Sequence, residues 1–193
     1  ANTYGEETKQ IAYAKVMGLD PGRWRGGDHW PIWDFGTTAV IDVGGGPSSM
    51  LLKSRFGLGV VVDPCPYPSW VQARYENHGI VSAREPAEDY LWRFPEGHFA
   101  TALCYNVLQH TIDPEAICKE MRRVAKTVHL FEWVDMPPHP GHPHELKAEK
   151  LAEWLGGQGQ HVWLDEQYRR IGSGSPSPVR QHGWGGTLSL IHI

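Results

Sequence analysis

The chain contains no run of 18 apolar residues, so no membrane-spanning helix is expected. It also has no excess of positive charge. Lys and Arg number 18 against 22 Asp and Glu, and the formal net charge of -4 argues against a nucleic acid held by bulk electrostatics. Cysteine is scarce: Cys65, Cys104 and Cys118 are odd in number and lack C-x-x-C spacing. Neither a disulfide framework nor a zinc site is indicated, and a reducing cytoplasm fits. The opening residues ANTYGEETKQ lack the basic and apolar regions of a secretory signal. Internal repeats and low-complexity tracts are missing as well. What the chain has in quantity is Gly (22), Pro (15), His (11) and Trp (9), and these cluster. A length of 193 residues suits one domain, spanning 1–193, with a single large core.

The stretch that organises the rest runs from Ala39 to Pro64, AVIDVGGGPSSMLLKSRFGLGVVVDP. Val40 to Val43 is a brief β-branched run suited to a buried strand. The three glycines that follow, Gly44, Gly45 and Gly46, permit a sharp turn and close approach of backbone to a ligand. Pro47 at a first helical turn, Ser48 and Ser49 beside the unpaired N–H groups, and Met50 to Leu52 predict a short helix that Gly57 stops. Gly59 to Val62 is a second apolar strand, and Asp63 stands at its end, placed to accept hydrogen bonds from ribose hydroxyls. The dinucleotide pattern G-x-G-x-x-G is not met, because Ser49 occupies its last glycine position.

This stretch resembles motif I of the class I S-adenosylmethionine-dependent methyltransferases: a hydrophobic pair, an acid, G-x-G-x-G, and a second acid about 17 to 20 residues past the glycines. Asp42, Gly44 and Gly46 fit, and Ser48 replaces the last glycine. The middle of the chain extends the resemblance. Ala87-Glu88, Phe94-Pro95-Glu96-Gly97-His98-Phe99, Leu108-Gln109-His110 and Asp113-Pro114 follow the pattern of small-molecule methyltransferases in the same order. Two positions depart from it, Ala100 after Phe99 and Pro86 before the Ala-Glu pair, where the family often carries acids. The resemblance covers about Ala39 to Gly157, the scale of one Rossmann-like unit. It implies an α/β fold, a mostly parallel sheet with helices on both faces and an antiparallel C-terminal edge strand. It also implies S-adenosylmethionine as cofactor, bound by Asp42, Gly44, Gly45, Gly46, Asp63, Ala87, Glu88 and Asn106, with Glu88 or Asp89 as acceptor for the adenine amine.

Further elements read from pattern. A helix is predicted from Glu6 to Met17, followed within 1–38 by a Trp-rich segment with Trp24, Trp30 and Trp33. Two readings stand for that segment: a lid over the donor, or a loop that packs its rings on the sheet edge. Pro68 opens a helix that Gly79 stops, Ile80 to Ala83 is a third strand, and Ala100 to Tyr105 a fourth. Asp113 is an N-cap with Pro114 at N1, and Ile117, Met121 and Val124 recur on one helical face. Thr127 to Val134 is a fifth strand. A helix with Leu151, Trp154 and Leu155 inward follows, stopped by Gly156, and then two strands, His161 to Leu164 and Thr187 to Ile193. The second of these reaches the last residue, so a longer natural C-terminus is compatible with the sequence.

Beyond the fifth strand, DMPPHPGHPHEL gathers Asp135, His139, His142 and His144. Imidazoles this close suit a transition metal, a base that titrates near neutrality, or a plain surface loop. Prolines at 137, 138, 140 and 143 spread the rings, which favours the base over the metal, and no metal site is assigned. The catalytic candidates are His110, followed by His142 and His144. For His110 the other reading is a helix-entry residue that hydrogen-bonds backbone. The segment YNVLQH lacks the Asn/Asp-Pro-Pro-aromatic motif of adenine-amino DNA methyltransferases and the Pro-Cys of the cytosine-C5 type. The reading is therefore methyl transfer to a small-molecule acceptor, with a nucleoside-binding module that has lost transfer as the alternative.

Overall fold

In the computed structural model, side chains are described for residues 33–157, and beyond them the backbone of three strands, 160–164, 170–173 and 187–192. The predicted helix Glu6–Met17, Trp24 and Trp30 lie outside the described residues, and with them most of the Trp-rich segment.

Short β-branched runs build the sheet. Among the described residues its strands are β2 (Ala39–Val43), β4 (Leu58–Val62), β5 (Ile80–Ala83), β6 (Phe99–Tyr105), β7 (Ala125–Val134), β8 (Gln160–Leu164), β9 (Arg170–Ser173) and β10 (Thr187–His192). The spatial order is β5-β4-β2-β6-β7-β10-β8-β9. The first five run parallel, with Ile41 of β2 level with Val60 on one side and Ala102 on the other. The last three are antiparallel: β10 pairs with β7 and β8, and β8 with β9. The sequence pattern anticipates two strands here. The third, Arg170–Ser173, forms the outer edge, so β10 is internal. A separate parallel pair joins β1 (Trp33–Asp34) to β3 (Ser54–Arg55).

Successive residues of a strand face opposite sides, and both sides of the parallel half of this sheet are covered. Ile41, Val43, Val60, Val62, Ala102, Cys104, Val128 and Leu130 pack with Ile117, Met121 and Val124 of α3 (Pro114–Val124) and Leu151 of α4 (Ala148–Trp154). Val40, Val61, Leu103 and Phe131 pack on the other side with Met50, Leu51, Trp33, and Val71 and Tyr75 of α1 (Ser69–Asn77). Double coverage is why these strands read as continuous apolar runs. A fourth helix, α2 (Ala87–Tyr90), follows β5.

The predicted short helix after the glycines forms as two 3-10 turns, Gly46–Ser48 and Met50–Lys53, rather than one continuous helix. Ser49 between them is extended at φ -47, ψ 142, and its Oγ donates to Asp42 Oδ2 at 2.6 Å while accepting from Leu51 N at 3.1 Å. A side chain that takes over the backbone's hydrogen bonds interrupts an α-helical ladder. Gly57 is not a helix stop either. A Cβ there would sit 2.1 Å from the Thr37 carbonyl oxygen, so Gly57 marks a close backbone crossing.

Candidate functional site

The sheet order turns at β2. From it the chain proceeds through β4 and β5 in one direction and β6 and β7 in the other, and ligands of open α/β sheets bind outside the strand ends at such a reversal. A cavity of about 630 Å³ lies there. Gly44 closes β2, Asp63 follows β4, Pro86, Ala87 and Glu88 follow β5, and Asn106, Val107 and His110 follow β6, all on its wall. Tyr67 and Ile112 also line the cavity.

Gly44 is built into this wall by conformation and by space. Its φ is +70, and an added Cβ would come within 2.3 Å of Val107 Cγ2. Gly46 is also left-handed at φ +58; its N–H donates to Asp63 Oδ2 at 3.0 Å and its carbonyl accepts the Tyr75 hydroxyl. Asp63 receives two further donors, Cys65 N on Oδ1 at 2.9 Å and the Tyr67 hydroxyl on Oδ2 at 3.2 Å. Gly45 does not face the cavity: a Cβ on it would meet Asp42 Oδ2 at 2.9 Å.

Asp42 also lies away from the cavity. It is 2% exposed and accepts from Ser49 Oγ and, at 3.3 Å, from Met50 N, so it braces the glycine turn from beneath. Burial pushes its carboxyl up to about 7, against the two hydrogen bonds, which favour the charged form. Glu88 is on the wall, but its Oε1 already accepts Ile112 N at 3.1 Å and Asp113 N at 3.3 Å, tying α2 to the entry of α3. Asp89 is exposed and off the wall.

Asn106 is strained. It adopts φ 54, a conformation uncommon outside glycine, and donates its N–H to Phe131 O at 2.7 Å. Its side-chain oxygen is buried against the cavity with no hydrogen-bond partner. Backbone strain and an orphaned acceptor at one residue are typical of positions organised for a ligand.

Of the histidines among the described residues, only His110 lines the cavity. Its Nδ1 donates to Gly141 O at 2.7 Å, since a carbonyl can only accept, and the neutral ring therefore keeps Nε2 unprotonated. His110 thus binds backbone, as one sequence reading has it, and it also faces the cavity. His144 Nε2 donates to Thr111 O at 2.7 Å, and His142 lies between His110 and His139, with ring centroids 4.4 Å from each. Burial and these two neighbours hold His142 below the usual imidazole range. His139 and His142 exchange backbone hydrogen bonds of 3.0 and 2.8 Å, which makes the histidine loop a hairpin that buttresses His110. Among the described residues no group of three or more His, Cys, Asp and Glu is arranged to hold a metal ion. No helix among them is long and apolar enough to cross a membrane.

One residue of this site was not expected from the sequence. Glu132, on β7, is completely buried. Its Oε1 accepts Val107 N at 2.7 Å and Leu108 N at 2.9 Å, so it anchors the loop that presents Asn106 and His110. Its Oε2 is buried without a hydrogen-bond partner, and burial pushes the carboxyl up to about 8. The signal was a lone acid within the apolar run HLFEWV.

Known proteins share this architecture. The family model of a methyltransferase domain matches residues 41–128. No curated protein matches the chain. Among solved structures, a SAM-dependent methyltransferase from Archaeoglobus fulgidus superimposes with a TM-score of 0.62 at 11% identity, over 100% of this chain and 95% of that one. A putative methyltransferase of Haloferax volcanii, solved in complex with the Trm112 methyltransferase activator, gives 0.58 at 16% identity, over 98% and 92%. Geranyl diphosphate C-methyltransferase from Streptomyces coelicolor, in complex with Mg2+, geranyl-S-thiolodiphosphate and S-adenosyl-L-homocysteine, gives 0.56 at 11% identity, over 80% and 68%. Identities this low speak for the fold alone; the family match adds that residues 41–128 of this chain are similar to a methyltransferase domain.

Proposed function

We propose that the chain transfers a methyl group from S-adenosylmethionine to a small-molecule acceptor in the cavity at the ends of β2, β4 and β6. The observation that carries this reading is the convergence of Gly44, Asp63 and Asn106 on one wall of a cavity of about 630 Å³, within the range of small-molecule sites. The residues present suit the donor. Asp63 retains acceptor capacity for a ribose hydroxyl, the buried Asn106 oxygen awaits a donor group, and Gly44 leaves backbone open to the ligand. Pro86, Ala87 and Ile112 supply apolar surface for a flat base, and Glu88 has a second oxygen for its amine.

When bound, the sulfonium donor supplies an already activated methyl, so the protein's task is to align an acceptor and, where needed, remove its proton. His110 is the candidate base, because Gly141 fixes its tautomer with Nε2 free to accept. His142 and His144 act through it as supports of the hairpin rather than as bases. Asp42 and Gly45 serve the donor indirectly by shaping the turn. The free thiols Cys65, Cys104 and Cys118 support work in a reducing compartment such as the cytoplasm.

The test is calorimetric binding of S-adenosylhomocysteine to the wild type and to Asp63→Ala. Loss of hydrogen bonds to a charged acceptor is worth roughly 1.5 to 3 kcal/mol, so affinity should fall about 10- to 100-fold. Equal affinity in a folded variant would remove Asp63 from the donor site. Transfer is then sought by following S-adenosylhomocysteine release across an acceptor panel, and binding without turnover on every acceptor would favour a binding module.

A further inference from the structure

Asp63 carries more donors than a ribose-binding carboxylate has room for. A carboxylate offers about four lone-pair sites. Here Gly46 N, Cys65 N and the Tyr67 hydroxyl take three of them, which leaves one for a sugar that brings two vicinal hydroxyls. Two of the occupants are fixed. Cys65 N belongs to the tight turn that follows the strand, and Gly46 is pinned on its far side through its carbonyl to Tyr75. The Tyr67 hydroxyl is different. It reaches Asp63 on a half-buried side chain at 3.2 Å, the longest of the three contacts.

Tyr67 also stands between two spaces. Its ring lines the main cavity and, with Asp63 and Cys65, a second recess of about 50 Å³ bounded by Val71, Gln72 and Ser82. That recess holds more than one water-sized volume; its walls are mostly apolar, but they include Ser82 Oγ and Gln72 Oε1, which are joined by a hydrogen bond of 2.6 Å and keep lone pairs to accept a further donor. A phenol released from Asp63 therefore has polar company next to its present position. Burial and the Asp63 charge push the Tyr67 phenol up, so the hydroxyl stays protonated and its present contact is a donated hydrogen bond.

Resting on the donor-binding reading above, we propose that Tyr67 sets donor affinity by competition: its hydroxyl holds the Asp63 site that the second ribose hydroxyl needs, and must leave it for the recess when a ribonucleoside binds. Tyr67 is thus an affinity-setting residue that contributes no bond to the reacting atoms. The free protein spends one charge-assisted hydrogen bond on itself, and the ligand must replace it. Tyr67→Phe removes that occupant and keeps the ring, its packing and the backbone turn.

The experiment compares calorimetric affinities of wild type, Tyr67→Phe and Asp63→Ala for S-adenosylhomocysteine, with adenosine and 2′,3′-dideoxyadenosine as further probes in ligand-observed NMR titrations. Tyr67→Phe should bind S-adenosylhomocysteine and adenosine more tightly, on the order of 3- to 10-fold, the share of one hydrogen bond no longer displaced. The dideoxy probe, with no hydroxyls to place, should show no gain. An unchanged or weakened S-adenosylhomocysteine affinity in Tyr67→Phe, or an equal gain for the dideoxy probe, overturns the competition. If Asp63→Ala binds like the wild type, the ribose does not sit on Asp63, and the underlying donor reading fails, taking this proposal with it.

Discussion

Glu132→Gln isolates what the buried carboxyl under the β6 loop does to the fold. Glu132 has no solvent exposure, and its carboxyl is moved from 4.5 to about 8. In the unfolded chain the group releases its proton as pH passes 4.5; in the native state it holds the proton until about 8. Between those values the native state binds more protons, so stability falls as pH rises, and it levels off above 8. At about 1.4 kcal/mol for each pH unit, the group costs the native state on the order of 4 to 5 kcal/mol at pH 8 and above, relative to pH 4. Glutamine keeps an oxygen for Val107 N and Leu108 N and cannot ionise. The variant should match wild type near pH 5 and become progressively more stable up to pH 9. Asp42 titrates with the same sign, pushed up to about 7, but it is present in both proteins and cancels in the difference. At about 2 to 4 °C per kcal/mol for a chain of this size, the gap in Tm should reach about 8 to 20 °C at pH 9. Thermal unfolding followed by circular dichroism in buffers from pH 5 to 9 measures it, with Glu132→Ala as the contrast. Alanine leaves two loop N–H groups without a partner at about 1 to 3 kcal/mol each, at every pH. A gap between wild type and Glu132→Gln that stays constant from pH 5 to 9 would refute the account.

Gly44→Ala should cost about 2 to 4 kcal/mol, from a left-handed backbone and a Cβ 2.3 Å from Val107, and should abolish S-adenosylhomocysteine binding by displacing the Asn106 loop. Denaturant unfolding and calorimetry check the two effects separately, and wild-type affinity in the folded variant would contradict the close-approach argument. Asp113→Ala removes the cap that Oδ1 gives Ala116 N at 2.9 Å and should lower stability by about 1 kcal/mol, or about 2 to 4 °C in Tm. An unchanged Tm would mean that the Glu88 contacts to Ile112 and Asp113 hold the helix entry without the cap.

The sequence by itself determined the parallel half of the sheet and the entry of α3. Those elements rest on local physics. Val40 to Val43 and Gly59 to Val62 are apolar runs bounded by glycine, and Asp113-Pro114 pre-organises a helix start whatever surrounds it. Gly44, Asp63 and Asn106 were legible because strand order carries strand ends to one edge, and a short pattern with an acid at fixed spacing is enough to find them. The turn after the glycines was misread because Pro47 and two serines are as much the signature of a helix start as of two 3-10 turns, and the choice lies with Asp42 beneath. The sequence could not say that Asp42 faces inward and Asp63 outward, although each stands at or near the end of an apolar run. Nor could it say that Glu88 would be taken up by the backbone of Ile112 and Asp113, or that the histidine hairpin would turn one ring, His110, to the cavity and keep His142 behind it. Glu88 with Ile112 and Glu132 with Leu108 are pairings across 24 residues of chain. Only the packed sheet brings their partners within hydrogen-bond distance, and only there does removal from water decide which carboxyl binds backbone and which faces the cavity.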